Sequence, residues 1–281
     1  MIMGYSFYEI AALFFVYGFL GWVVEVIFRG LCEGRFVNSG FLNGPICPIY
    51  GFGGVIVVLC LTPVQDNIPV LFICSSILTT GLELITGFAL DKIFHTRWWD
   101  YTDKPFNIGG YICLQFMVAW GLVCVGLMKI LHPPVIQLIR AVPFMLGVFL
   151  LIFVAVVFIA DVVVTVITIN HLANRLKIMD EIAASIHAVS DNIGTKVYNS
   201  AETVKAKGGN VLESKNARVI KEKYSGNVEE LKQRYKAMTE ERHRLQNRIL
   251  KAFPKMTSRH YSDALDNIKE KLREKIQKKE R

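Results

Sequence analysis

The sequence carries no nucleotide-binding signature. GxxxxGK[ST] is absent, and so is GxGxxG; Gly51-Phe52-Gly53-Gly54 has neither a preceding strand nor a following acidic residue. HExxH and GxSxG are missing as well. The chain therefore reads as non-enzymatic, and if ATP drives it, another chain hydrolyses the nucleotide. Its six cysteines (Cys32, Cys47, Cys60, Cys74, Cys113 and Cys124) form no CxxC pair and have no His at ligand spacing. That pattern predicts small, reduced packing residues, with no metal centre, no disulfide framework and no cofactor. The N-terminus lacks the basic n-region of a cleavable signal, and its first apolar run is too long for an h-region, so the first helix is expected to stay.

What residues 1–170 do have is long apolar runs, at about Glu9–Phe28, Pro48–Thr62, Ile68–Leu90, Ile108–Leu131 and Val142–Ile169. Most reach the roughly 20 residues that carry a helix across about 30 Å of hydrocarbon. The second is short and rich in glycine, which suits an angled or broken entry. Residues 171–281 differ: 25 Lys/Arg against 15 Asp/Glu give +10, whereas residues 1–170 hold 7 against 9, or −2. This predicts an all-α polytopic membrane protein, with a five-span transmembrane domain over 1–170 and a basic cytosolic helical tail over 171–281. Such a tail is drawn to the bilayer and its anionic inner-leaflet lipids. Nucleic acid is not an expected partner, because the tail lacks a basic motif interleaved with aromatics.

Cell-membrane orientation follows from the Lys/Arg bias. With the tail inside, cytosolic loops hold Arg29, Arg35, Lys92, Arg97 and Lys104, while exterior segments hold only Lys129 and Arg140. The expectation is N-terminus outside and C-terminus in the cytosol.

Within the tail, Leu172, Leu176, Met179, Ile182, Ile186, Val189, Ile193 and Val197 recur at intervals of three and four, predicting an amphipathic helix that Gly208-Gly209 ends. Val228, Leu231, Tyr235, Met238, Leu245 and Ile249 fall on a and d positions, interrupted by Arg242. Three heptads suggest a coiled coil, either folded back as a hairpin on 171–205 or zipped to a second subunit as a homo-oligomer. Pro254 stops that helix. Ser262 caps a last one, with Leu265, Ile268, Leu272 and Ile276 on its apolar face.

Three carboxylates, Glu25, Glu83 and Asp161, interrupt the apolar runs. An ionisable group at membrane depth is costly against lipid, so each should face protein or water. All three fall in the cytosolic half of their helices, which allows one shared polar cavity. The alternative is separate pairs, Glu25 with Arg29 at i+4 and Asp161 with Thr165. The loop 38–54, including Asn43, is too rich in Gly and Pro for a plain helix, and backbone of that kind in a membrane must be buried or line water. In the second cytosolic loop Trp98, Trp99, Asp100, Tyr101 and Asn107 read as a polar-aromatic lip over the cavity mouth. An interfacial aromatic belt is the simpler account of Trp98 and Trp99.

Gly21-Trp22-x-x-Glu25, Gly40-Phe41-Leu42-Asn43-Gly44-Pro45-Ile46-Cys47-Pro48-Ile49-Tyr50-Gly51, Glu83-x-x-Thr86-Gly87, Trp99-Asp100-Tyr101-x-x-x-Pro105-Phe106-Asn107 and Gly110-Tyr111-Ile112-Cys113-Leu114 together resemble the ABC-transporter type IV permease family of the CmpB kind. The resemblance covers roughly residues 8–170, and Leu250–Met256 is similar to a segment of longer members. It implies a bacterial, Gram-positive integral membrane protein that is a transport-complex subunit with a separate ATPase partner. It carries no catalytic or substrate residue across. Five spans is an unusual count for a permease, and no clear coupling helix stands out. Two other classes stay open: an intramembrane enzyme acting on a lipid head group with a carboxylate as general base, and a scaffold or sensor whose tail recruits partners.

Overall fold

The computed structural model describes residues 3–34, 36–206, 215–241 and 243–280. Arg35 and Arg242, and the Gly208-Gly209 stop, lie outside the described residues, as do the side chains of Ile193 and Val197. The chain divides into two compact units, Met1–Asn170 with Arg244–His260, and His171–His243 with Tyr261–Arg281. The expected boundary at residue 170 separates them, but Arg244–His260 folds with the first unit.

The first unit begins with α1 (Phe7–Glu33). Its start is a capping box: Ser6 Oγ accepts from the Glu9 amide at 3.2 Å, and Glu9 Oε2 accepts from the Ser6 amide at 2.7 Å. Gly34 ends it in the left-handed region. Helix α2 (Pro48–Leu61) starts on Pro48, whose missing N–H costs nothing in a first turn. Helix α3 (Ile68–Phe94) is capped by Asn67. Strand β1 (Thr96–Arg97) follows, then the hairpin of β2 (Asn107–Ile108) and β3 (Ile112–Cys113), turned by Gly109 and Gly110 at positive φ.

Helix α4 (Leu114–Gly126) continues through a wide π turn at Leu127–Leu131 into α5 (His132–Ala141). Pro133 and Pro134 lack amide protons, so the regular i to i−4 ladder cannot pass through them and the turn widens there. Residues 132–141, expected as an exterior loop, are thus helical, with Val135, Ile136 and Ile139 buried. The 63-residue α6 (Phe144–Ala206) leaves this unit at Asn170.

Among the described residues four helices are long and apolar enough to cross a membrane: Phe7–Glu33, Ile68–Phe94, Leu114–Ala141 and Phe144–Asp191. Of the five expected spans only α2 falls short; its 14 residues rise about 21 Å. It packs antiparallel to α1. The Cys47 amide donates to the Gly18 carbonyl at 2.9 Å, and Gly51 lies against Phe14. The non-helical segment before α2 therefore reaches the middle of α1. Around these helices a core forms from Leu13, Tyr17, Val58, Leu71, Met128 and Ile136.

Helix α8 (Arg244–Ala252) and strand β4 (Thr257–Ser258) complete this unit, β4 pairing antiparallel with β1 through Thr96–Ser258 and Arg97–Thr257.

The second unit contains the distal part of α6, with α7 (Lys215–Glu240) and α9 (Ser262–Glu280). Leu172, Leu176, Met179 and Ile182 are buried, as their spacing predicts. Arg175 Nε donates to the Met238 carbonyl at 3.1 Å. Helix α9 lies on α7, with Asn267 Nδ2 donating to Tyr235 at 2.8 Å. The a/d seam of residues 228–249 is split, because α7 ends at Glu240 and Ile249 sits on α8.

Candidate functional site

Two of the three membrane-depth carboxylates each accept from a tyrosine. Tyr50, one turn into α2, donates to Glu25 Oε2 at 2.9 Å. Tyr101, in the loop after β1, donates to Glu83 Oε1 at 3.2 Å and stacks on Phe116 of α4 at 4.7 Å. The Tyr101 phenol is held above its ordinary range, first by burial and then by the Glu83 charge, and it also feels Glu25. The Glu25 and Glu83 charges both reach Tyr101, which bonds only Glu83. Among the described residues neither carboxylate forms an ion pair, and Glu83 Oε2 is buried without a hydrogen-bond partner. Arg29, the alternative partner of Glu25, pairs instead with Glu33 at 2.6 Å and donates to the Lys251 carbonyl at 2.9 Å.

Asp161 does other work. It accepts from the Asn43 amide at 3.1 Å, the Asn43 side chain at 2.9 Å and the Gly44 amide at 2.7 Å. Thr165 donates to it at 3.4 Å, so the expected i+4 contact is present but is the longest of the set. The carboxylate closes the re-entrant loop against α6, where a chain without helical hydrogen bonds needs acceptors. Asn38 links the same loop to α1, accepting from Trp22 at 2.7 Å and donating to the Asn43 carbonyl at 2.7 Å.

The loop residues expected as a lip divide. Tyr101 reaches Glu83. Trp98 is 3% exposed and packs on Phe41 and Phe253, both at 4.9 Å, so it is core and no lip. Trp99 donates to the Tyr111 carbonyl at 3.0 Å. Asp100 accepts from the Thr102 amide at 2.9 Å, and Asn107 bonds Lys104 and Gly110; both shape the turn.

The family model described as "Putative ABC-transporter type IV" matches residues 12–166. The chain belongs to this family. No curated protein and no solved structure matches it. The ten residues that the sequence put forward for the site, from Glu25 to Asp161, lie inside the matched segment.

Several partners of that segment lie outside it and were not foreseen. Arg248 of α8 donates to the Gly40 and Phe41 carbonyls at 3.0 and 2.9 Å, and burial holds its pKa below the usual guanidinium value. Arg259 and the Tyr111 hydroxyl both donate to Asp91, which is 1% exposed; Arg97 lies 3.9 Å from the same oxygen. Lys255 meets Asp103 at 2.7 Å and lowers its pKa. A sign of the Asp91 site was present: an acid in a helix's last turn opposes the macrodipole and calls for a cation. His132 is the other residue missed. Its ring nitrogens lie 2.8 Å from Tyr5 Oη and 2.6 Å from Tyr17 Oη, buried on the core. Among the described residues no His/Cys/Asp/Glu cluster could hold a metal ion.

Proposed function

We propose that this chain is the membrane-embedded permease subunit of a bacterial transport complex and works with a separate ATPase. The observation that carries the reading is the pair of hydrogen bonds Tyr50–Glu25 and Tyr101–Glu83: two membrane-depth acids, neither with a cation partner among the described residues. Such groups persist in a bilayer when they face a watered path or a substrate. Family membership supports the transport setting, and the absence of a nucleotide motif supports a partner that supplies hydrolysis. In this reading the chain crosses five times, N-terminus outside and C-terminus inside. The second crossing combines the descending segment 36–47 with the short α2. The excess of Lys/Arg on the tail suits the anionic inner leaflet of a Gram-positive cell membrane.

Affinity purification from native membranes tests this. An ATP-hydrolysing subunit should co-purify, and Glu25→Gln and Glu83→Gln should each lower solute-stimulated hydrolysis by about tenfold, equivalent to about 1.4 kcal/mol, at unchanged expression. Conversion of a labelled phospholipid by the chain alone, with no co-purifying ATPase, would replace the permease reading with that of a lipid-modifying enzyme.

A further inference from the structure

Over residues 75–86, helix α3 places its polar side chains on one side. At about 100° per residue, Ser75, Ser76, Thr79, Thr80, Glu83 and Thr86 all fall within an arc of about 140° centred on Glu83. The opposite side carries Ile77, Ile85 and Phe88, all exposed as lipid-facing residues are. Ser76 and Thr79 satisfy their hydroxyl protons on carbonyls of the preceding turn, at 2.9 and 2.7 Å. Three atoms on the arc have no partner: Ser75 Oγ, on a residue with 0% exposure, Thr80 Oγ1 and Glu83 Oε2. Buried hydroxyl and carboxyl oxygens normally find hydrogen bonds, so three orphans on one helix side ask for a ligand.

The ligand's class follows from spacing. Ser75 and Glu83 are eight residues apart, about 12 Å along the axis. A metal cation needs about six oxygens converging on one point, and three oxygens spread over that distance cannot provide them. A proton needs only one oxygen, so it suits a site where a single carboxylate oxygen is left free. Tyr101 donates to Glu83 Oε1, which leaves Oε2 as the oxygen open to protonation. The titratable groups around it are Tyr101 itself and, through Tyr101, Glu25, Tyr50 and Cys113.

We propose that Glu83 Oε2 is a reversible proton-binding site on the polar side of α3. On uptake the carboxylate and a proton from water form a neutral carboxylic acid; on release the O–H bond breaks and the proton returns to water. The inference deepens the carboxylate site of the transport reading, yet requires neither an ATPase nor a transported solute.

Difference infrared spectroscopy of the purified full chain in lipid nanodiscs, between mildly alkaline and acid pH, tests it with the proton itself as probe. Acidification should raise a carboxylic C=O band that Glu83→Gln removes and Glu25→Gln and Asp161→Asn retain. Tyr101→Phe keeps the carboxyl and deletes only its phenol donor, so the band should persist at higher frequency. This variant keeps the test decisive even if Glu83→Gln fails to fold. A band insensitive to both Glu83→Gln and Tyr101→Phe would overturn the proposal, and so would a Glu83 band of constant amplitude at every pH. Loss of ATPase co-purification with the band intact would sink only the transport reading.

Discussion

Asp161 shows what a single membrane-depth carboxylate can do without chemistry. It satisfies two amides and a side chain of a loop that has no helical partners. Asp161→Ala should leave the Asn43 and Gly44 amides unpaired, at about 1–3 kcal/mol each, and lower the unfolding midpoint of the detergent-purified protein by several degrees. Asp161→Asn should restore part of the loss; an Ala variant as stable as the parent would remove Asp161 from this role. The positions of Glu25, Glu83 and Asp161 were legible as acids inside apolar runs. Their roles were not, because the partners that separate them, Tyr50 for one and the Asn43-Gly44 amides for another, lie on other elements. Trp98 misled for a similar reason. An indole near a helix end suits the interface, and only the arrival of Phe253 from far along the chain turns it into core.

At the scale of elements, close approach decides the packing of α1 and α2. A Cβ on Gly51 would lie 2.7 Å from the Phe14 carbonyl oxygen, backbone that cannot step aside, whereas one on Gly53 meets nothing within 4 Å. Gly51→Ala should therefore destabilise by about 1–3 kcal/mol while Gly53→Ala is close to neutral, read as thermal midpoints in detergent; equal effects would contradict the packing. The long helices were readable because hydrophobic length and caps are local. The β1–β4 pair was not, since Thr96 and Ser258 are 162 positions apart and two-residue strands leave no period to detect. The same holds for α8, whose Arg248 interrupts nothing in the sequence yet binds two loop carbonyls. Arg248→Ala should speed amide hydrogen exchange across residues 38–44, with a loss of about 1.5–3 kcal/mol for hydrogen bonds from a charged donor. Exchange unchanged there would mean the loop holds its shape unaided.

For the whole molecule, single cysteines at Asn67 and Lys255 in a cysteine-free background should label from opposite sides of the membrane, and labelling of both from outside would refute the proposed orientation. The return of Arg244–His260 to the first unit carries a consequence for biogenesis. Arg248 lies 208 residues after Gly40, whose carbonyl it binds. At about 5–20 residues per second, the ribosome needs roughly 10–40 s to make that stretch. Throughout that interval the early helices can insert, but Gly40 and Phe41 wait for Arg248, and Asp91 for Arg259. A nascent chain is then exposed to membrane proteases and holding chaperones, and a premature stop anywhere before Arg244 leaves it so permanently. The shape of the loop that carries Gly40 and Phe41 therefore depends on whether synthesis has passed Arg248.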